Sequence, residues 1–195
     1  MLNVQVMTID PIACGVFLLL AFTLAGVAQT AWFASPASRA FALPLDGGMR
    51  LRGRRLFGAN KTIRGFVVMV PAAAAAFALL GAIVAADLGV WDLPLSSFAT
   101  VGGFAGFGFM AGELPNSFIK RQLDIAPGTA PRGAAATALQ FGADRLDSGI
   151  GMLAAVSVLV PTPWQTWAVV LIVGPVIHWS FSVVMFRLGL KARPA

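Results

Sequence analysis

The sequence predicts an all-α integral membrane protein with about five transmembrane helices, and three observations lead there. Hydrophobic residues make up 58% of the 195 positions. Charged residues make up 11%, against about 25% in an ordinary soluble domain. The apolar residues are gathered into runs close to the roughly 20 residues needed to cross a bilayer, and the charges lie between the runs. There is room for about five spans and little else, so residues 1–195 are read as a single membrane-embedded domain.

The first run covers residues 11–33. The stretch before it, MLNVQVMTID, lacks a basic region, so no cleavable signal is expected. Cys14, the single cysteine, lies inside this run and reads as a small buried hydrophobe, which leaves no disulfide framework and no cysteine metal site. Residues 34–62 form a basic loop with Arg39, Arg50, Arg52, Arg54, Arg55 and Lys61, and Arg64 follows just beyond. The second span, residues 63–86, has an alanine-rich middle. Residues 87–95 form a short acidic loop. The third span, residues 96–114, carries two small-xxx-small pairs, Gly102/Gly106 and Gly108/Gly112, which let helix backbones approach closely. Together with Gly103 those glycines have two readings: they pack helices together, or they thin a groove that admits lipid tails and leads to Glu113.

Residues 113–148 are the polar heart of the chain, holding Glu113, Asp124, Asp144 and Asp147 together with Lys120, Arg121, Arg132 and Arg145. The apolar run after it, residues 149–160, is too short to span alone. A helix starting upstream, near Arg132 or Gly133, would carry Asp144 and Asp147 close to membrane level. Pro161-Thr162-Pro163 reads as a tight turn, and residues 164–186 as the fifth span. The tail holds Arg187, Lys191 and Arg193.

Lysine and arginine are partitioned without exception. All fourteen fall in the basic loop with Arg64, the polar segment or the tail, and none in the N-terminal stretch, the acidic loop or the proline turn. The positive-inside rule then predicts an outside N-terminus, a cytoplasmic C-terminus and both polar loops on the cytoplasmic side. The expected location is the cell (cytoplasmic) membrane, crossed several times. The net charge of +6 suits that rule and phosphate-bearing ligands, and nucleic acid is not an expected partner. An oligomer of identical chains is compatible with the sequence.

Three motifs carry candidate chemistry. In GANKTIRG, Lys61, Thr62 and Arg64 stand where the second helix begins, and a helix N-terminus favours anions. The order of a P-loop is broken, since Ala59-Asn60 separates Gly58 from Lys61. These residues suit a phosphate grip, while Arg39, Arg50, Arg52 and Arg54 suit positive-inside anchoring, a reading also open to Lys61 and Arg64. In the second motif, Glu113, Ser117, Lys120, Arg121 and Asp124 fall at spacings of three and four if a helix continues past Pro115. Such a face would serve a magnesium–triphosphate complex, or simply cap the helix at the bilayer surface, and Pro115 marks either a kink or a restart. In the third, Asp144 and Asp147 are three apart on one side of a helix. Two carboxylates that close call for a cation between them, and hard oxygen ligands point to Mg²⁺. First-turn acids stabilising a helix N-terminus are the alternative. His178, alone in the fifth span, reads as a packed or hydrogen-bonded histidine.

Ser117-x-x-Lys120-Arg121 followed by Asp144-Arg145-x-Asp147-Ser148 resembles the signature of CTP-dependent phosphatidate cytidylyltransferases. The small size, the five spans and Asn60-Lys61-Thr62-x-Arg64-Gly65 are more similar to the CDP-archaeol synthase branch of that superfamily. The resemblance implies a Mg²⁺-dependent enzyme that joins CTP to a membrane lipid phosphate, either archaetidic-acid-like or phosphatidic acid, and releases pyrophosphate. It implies Mg²⁺ ligands at Asp144 and Asp147, with Glu113 as a third. Lys61, Thr62, Arg64, Lys120 and Arg121 would hold the triphosphate and the lipid phosphate, and Ser117 would bond a phosphate or order the loop. Lys120, Arg121, Asp144 and Asp147 are the expected catalytic set. The chain lacks the Lys-Asp pair and the His-Gly-Gly stretch of the phosphatidate enzymes, and the role of Asp124 is open. Two other readings stand beside it. One is a non-enzymatic small transporter or lipid-binding membrane protein, which would want polar residues along the depth of the bilayer. The other is an alcohol phosphotransferase acting on CDP-lipids, whose dense multi-aspartate motif is absent.

Overall fold

The computed structural model describes residues 9–190, with side chains at 85–88 left aside. Lys191, Arg193 and the stretch before Ile9 therefore lie outside the described residues, as does the side chain of Asp87.

Five long helices make up most of the chain: α1 (Pro11–Ala34), α2 (Ile63–Leu88), α3 (Leu95–Gln122), α4 (Ala134–Leu159) and α5 (Trp164–Arg187). α1 starts sharply because Asp10 accepts hydrogen bonds from the Ile12 and Ala13 amides and Pro11 occupies the first turn. α2 stops at Gly89, whose φ of +62° ends the helix in the left-handed conformation. α3 runs unbroken through Pro115, so there is no restart there. Proline is tolerated within such helices because neighbouring groups satisfy the freed backbone. At 28 residues α3 is about 42 Å long, well beyond a hydrocarbon core of about 30 Å, so one end projects from it.

Four of these helices, α1, α2, α3 and α5, are long and apolar enough to cross a membrane. Five spans are expected and five long helices are present, but α4 falls short in hydropathy, so four candidate spans stand among the described residues. The reason is its first half, which carries Gln140, Asp144, Arg145 and Asp147 before the short apolar run begins. The all-α expectation needs one amendment. Between α1 and α2 lie a short 3-10 helix (Pro36–Phe41) and a two-stranded ribbon, β1 (Arg50–Leu51) paired antiparallel with β2 (Arg54–Arg55). Its turn residues Arg52 and Gly53 both have positive φ, +52° and +82°, as the tightest hairpins require.

The helices close a ring. α1 packs on α2 and α5, α2 on α3, α3 on α4, and α4 on α5. At one end Asp10 donates its amide to the Gly89 carbonyl, Trp91 Nε1 donates to the Pro161 carbonyl at 2.8 Å, and the buried Thr166 hydroxyl to the Pro11 carbonyl at 2.8 Å. The main core lies toward this end, built around Phe17, whose ring contacts Phe77, Trp91 and Phe98 within 6 Å between centroids. At the other end sit the ribbon, the 122–133 connection and the arginine-rich loop. Large apolar side chains such as Ile83, Phe107, Val158 and Ile172 point outward all round, as a lipid solvent allows.

The glycines of α3 are packing residues. A Cβ on Gly102 would lie 2.5 Å from the Ala73 carbonyl oxygen, and one on Gly106 would lie 2.7 Å from that of Met69, so α2 fills that face. Gly108 and Gly112 meet the backbone of α4 at Gly151 and Asp147. The groove reading of these glycines is therefore overturned. Gly106→Leu is expected to destabilise the protein by about 1–3 kcal/mol through overpacking. Gly103→Leu, where the nearest atom to a Cβ is 3.9 Å away, is expected to be tolerated. Thermal unfolding of the two purified variants in detergent checks the contrast.

Candidate active site

The site forms where the projecting end of α3 faces the polar half of α4. On α3, Glu113, Asn116, Ser117, Lys120 and Arg121 succeed one another at helical spacings of three and four, so they share one face. On α4, Gln140, Asp144, Asp147 and Ser148 repeat that spacing. The two polar stripes oppose each other immediately beyond the glycine contact, where the helices are closest.

Asp144 Oδ1 collects three donors: Asn116 Nδ2, Lys120 Nζ and Gln140 Nε2, each at 2.6 Å. The same Asn116 nitrogen also reaches Asp147 Oδ2 at 2.8 Å. One amide therefore sits between the two carboxylates, which converge on a single point. Glu113 is engaged elsewhere. It pairs with Lys61 Nζ, and its other oxygen accepts from the Ser148 hydroxyl at 2.9 Å. Burial alone would lower the Lys61 pKa, but the adjoining Glu113 carboxylate more than offsets this and holds the ammonium above the ordinary lysine value. Among the described residues, no three side chains of His, Cys, Asp or Glu come together as a metal-binding group. The three-carboxylate set with Glu113 is thus not assembled. What is assembled is a pair, Asp144 and Asp147, with an amide between them.

The cations differ in what they touch. Arg121 is only 8% exposed, and its Nε and Nη1 have no hydrogen-bond partner. A buried guanidinium left short of acceptors is a natural grip for an anion. Arg64, in the first turn of α2, stacks over the Phe33 ring at 4.7 Å. Arg145 folds back along α4, 3.4 Å from the Phe141 ring centroid. Arg54 is tied to Asp124 and to the Gln122 carbonyl, and Arg55 to Asp46, so these two secure the ribbon.

All of the predicted site residues, from Lys61, Thr62 and Arg64 through Glu113, Ser117, Lys120 and Arg121 to Asp144 and Asp147, line one cavity of about 780 Å³ within the ring. Arg39, Arg50 and Arg52 do not. The cavity continues from this charged end into an apolar section walled by Leu19 and Phe22 of α1 and Leu171, Phe181 and Met185 of α5. His178 lines it too, edge-on to Phe109. Asp144 and Asp147 lie well inside α4, not in its first turn, which removes helix N-terminal stabilisation as their reason. Sequence reasoning missed Asn116 and Gln140. Each stands four residues from a residue that was singled out, Lys120 and Asp144 respectively, and that spacing was the available signal.

The family model that matches the chain, CarS-like CDP-archaeol synthase, covers residues 13–194. A CDP-archaeol synthase of Halorubrum lacusprofundi is 39% identical over 162 residues, covering 77% of this chain and 83% of that one. Another, from Thermococcus onnurineus, is 31% identical and covers 83% and 88%. A solved structure of an intramembrane enzyme for archaeal membrane lipids biosynthesis superposes with a TM-score of 0.58 at 25% identity, over 85% of this chain and 90% of that one. The cavity's charged mouth and apolar depth, the seam of facing carboxylates and these relatives converge: the chain belongs to the CarS-like CDP-archaeol synthase family and is a multi-pass membrane cytidylyltransferase.

Proposed function

We propose that the chain transfers the cytidylyl group of CTP to the phosphate of an archaeal isoprenoid ether lipid, forming a CDP-lipid and pyrophosphate. The observation that carries this reading is the cavity, which joins a cation-rich end to an apolar section in one continuous space. A water-soluble triphosphate and a bilayer-bound phosphate can meet in that space. The ether-lipid choice over phosphatidic acid follows the CDP-archaeol synthases to which the chain is similar.

In the reaction an oxygen of the lipid phosphate attacks the α-phosphorus of CTP. The bond from that phosphorus to the β-phosphate oxygen breaks, and pyrophosphate leaves with the electron pair. Such transfers depend on alignment and charge neutralisation more than on a protein nucleophile. Lys120, held against Asp144, and the unpaired Arg121 supply positive charge at the seam. Lys61 and Arg64 supply it from the start of α2. The apolar section holds the chains and keeps bulk water from the acceptor.

Mg²⁺ fits this donor set. Asp144 and Asp147 aim oxygens at one point, and that point already holds the partial positive charge of the Asn116 amide. Turning the Asn116 amide would add a third oxygen, as a hard cation prefers. When bound there, the ion would neutralise phosphate charge. Glu113 has a different task, orienting Lys61 and Ser148. The polar end is assigned to the cytoplasm, where CTP is made, and the protein to the cell membrane.

Purified protein is expected to convert labelled CTP and archaetidic-type phosphate to CDP-lipid in the presence of Mg²⁺. Phosphatidic acid turning over faster would reverse the lipid assignment, and no turnover with any lipid phosphate would reject the reaction. Asp144→Asn and Asp147→Asn are each expected to lose at least 100-fold in turnover, about 2.7 kcal/mol of transition-state stabilisation. Near-normal rates in both folded variants would remove the metal assignment.

Lys61→Ala and Arg64→Ala are expected to weaken CTP binding about tenfold or more, whereas Arg39→Ala is not, although all three lose one charge. Titration with labelled CTP at two salt concentrations separates a site contact from the general field. For orientation, Arg54→Cys and Gly128→Cys are expected to react with an impermeant thiol reagent from the cytoplasmic side. Gly89→Cys is expected to react only from outside, and the reverse pattern would invert the assignment.

A further inference from the structure

We propose that Asp46 is a positioning residue for nucleotide binding: a buried carboxylate, outside the cavity, that sets the backbone carrying Gly58 and Lys61. The inference rests on the CTP reading above.

Asp46 is 0% exposed, and a buried charge persists only when its lone pairs are satisfied. Here the satisfaction is complete. Oδ1 accepts from the Gly48 amide at 3.0 Å and from Arg55 Nη2. Oδ2 accepts from the amides of Phe57 and Gly58, at 3.2 and 3.1 Å, and from Arg55 Nε at 3.3 Å. Burial alone would raise the carboxyl pKa, but Arg55 and then the three amides outweigh it and hold the group well below the usual carboxylate range. Asp46 therefore stays charged at any pH at which a cell lives.

What it holds is adjacent to what the cavity uses. Gly58 has φ of +96°, a conformation that side chains rarely adopt. A Cβ there would lie 3.2 Å from Arg121 Nη1 and 3.2 Å from Pro127. The amide that Asp46 captures thus belongs to the residue lying directly against the buried, underpartnered guanidinium. The residue preceding Asp46 does the rest: the Leu45 amide donates to the Lys61 carbonyl at 2.8 Å, and the Lys61 amide donates to the Gly58 carbonyl at 3.3 Å. Pro44 and Thr62 form a bridge beside them. The Asp46 carboxylate thereby fixes Gly58 against Arg121 of α3, and through the Gly58 carbonyl and the neighbouring Leu45 amide the same loop holds the Lys61 backbone, without Asp46 lining the cavity itself.

The ribbon has a second tie that serves as a control. Arg54 bonds Asp124 and the Gln122 carbonyl, so it also docks the ribbon on α3, but it does not line the large cavity. If Asp46 merely stabilised the loop, cutting either tie would have the same consequence.

The test uses the full chain, purified in detergent, with CTP and archaetidic-type phosphate titrated separately and thermal unfolding followed in parallel. Asp46→Asn places an NH₂ against N–H donors. It is expected to raise the KM and Kd for CTP about tenfold or more, with kcat changed less than about threefold and the lipid KM unaltered. Arg55→Lys, which keeps the charge but loses the fork, is expected to show the same split more weakly. Arg54→Ala is expected to lower the unfolding temperature while leaving the CTP constants within about twofold. Normal CTP binding by Asp46→Asn overturns the proposal, and so does an equal CTP defect in Arg54→Ala or a fall in kcat with KM unchanged. If Asp46→Asn does not fold, Arg55→Lys decides by the same criteria. Wild-type protein that binds no CTP would reject the function itself, whereas wild type that binds it beside an unaffected Asp46 variant rejects only the role of Asp46.

Discussion

The backbone contact between α3 and α4 governs the rest of the architecture. A Cβ on Gly151 would come 2.6 Å from Gly112 Cα, so neither helix tolerates a side chain at that crossing. This closeness brings short polar side chains from opposite helices within hydrogen-bond reach just beyond it. Asn116 can span from α3 to two aspartates on α4 only because the axes are pressed together there. Without the contact, the two stripes would face each other across a gap, and charged groups near the membrane would lack partners. In lipid, association of helices relies on such packing, since hydrophobic burial offers little between apolar surfaces.

The same ring of helices is filled at one end and open at the other, and that asymmetry matters to function. Aromatic packing around Phe17, with the hydrogen bonds of Trp91 and Thr166, occupies the end that carries no lysine or arginine. This arrangement suits a chamber whose charged end lies opposite the packed end. Glu113 stands at the boundary, with its charge matched by Lys61, as that of Asp144 is by Lys120.

Much of this was legible in the residues. The break between α4 and α5 follows from Pro161-Thr162-Pro163, because breakers act locally, whereas the cap at Asp10 and the stop at Gly89 emerge in the structure. The upstream start of α4 followed from the shortness of its apolar run. What the sequence could not show was tertiary in origin. The glycines of α3 allowed either a groove or close packing, and only the position of α2 and α4 decides between them. Glu113 is set beside the two aspartates by the family resemblance. Its real partners, Lys61 and Ser148, are distant in sequence and come from two other elements. Asn116 and Gln140 passed unnoticed because an uncharged amide carries no signal until a carboxylate is seen beside it. Asp46 was hidden in a loop read only for its arginines.

The closure of the ring by its first and last helices bears on how the protein is made. α1 leans on α5 as well as on α2, and α5 supplies the wall that contains Phe181 and Met185. A ribosome delivers α1 to the bilayer long before α5 exists. Until then the charged stripes of α3 and α4 have one open flank, in a nascent chain that already carries both stripes whole. The ring thus closes only when α5 packs between α1 and α4. A prematurely terminated chain would hold the chemistry but have no chamber in which to perform it.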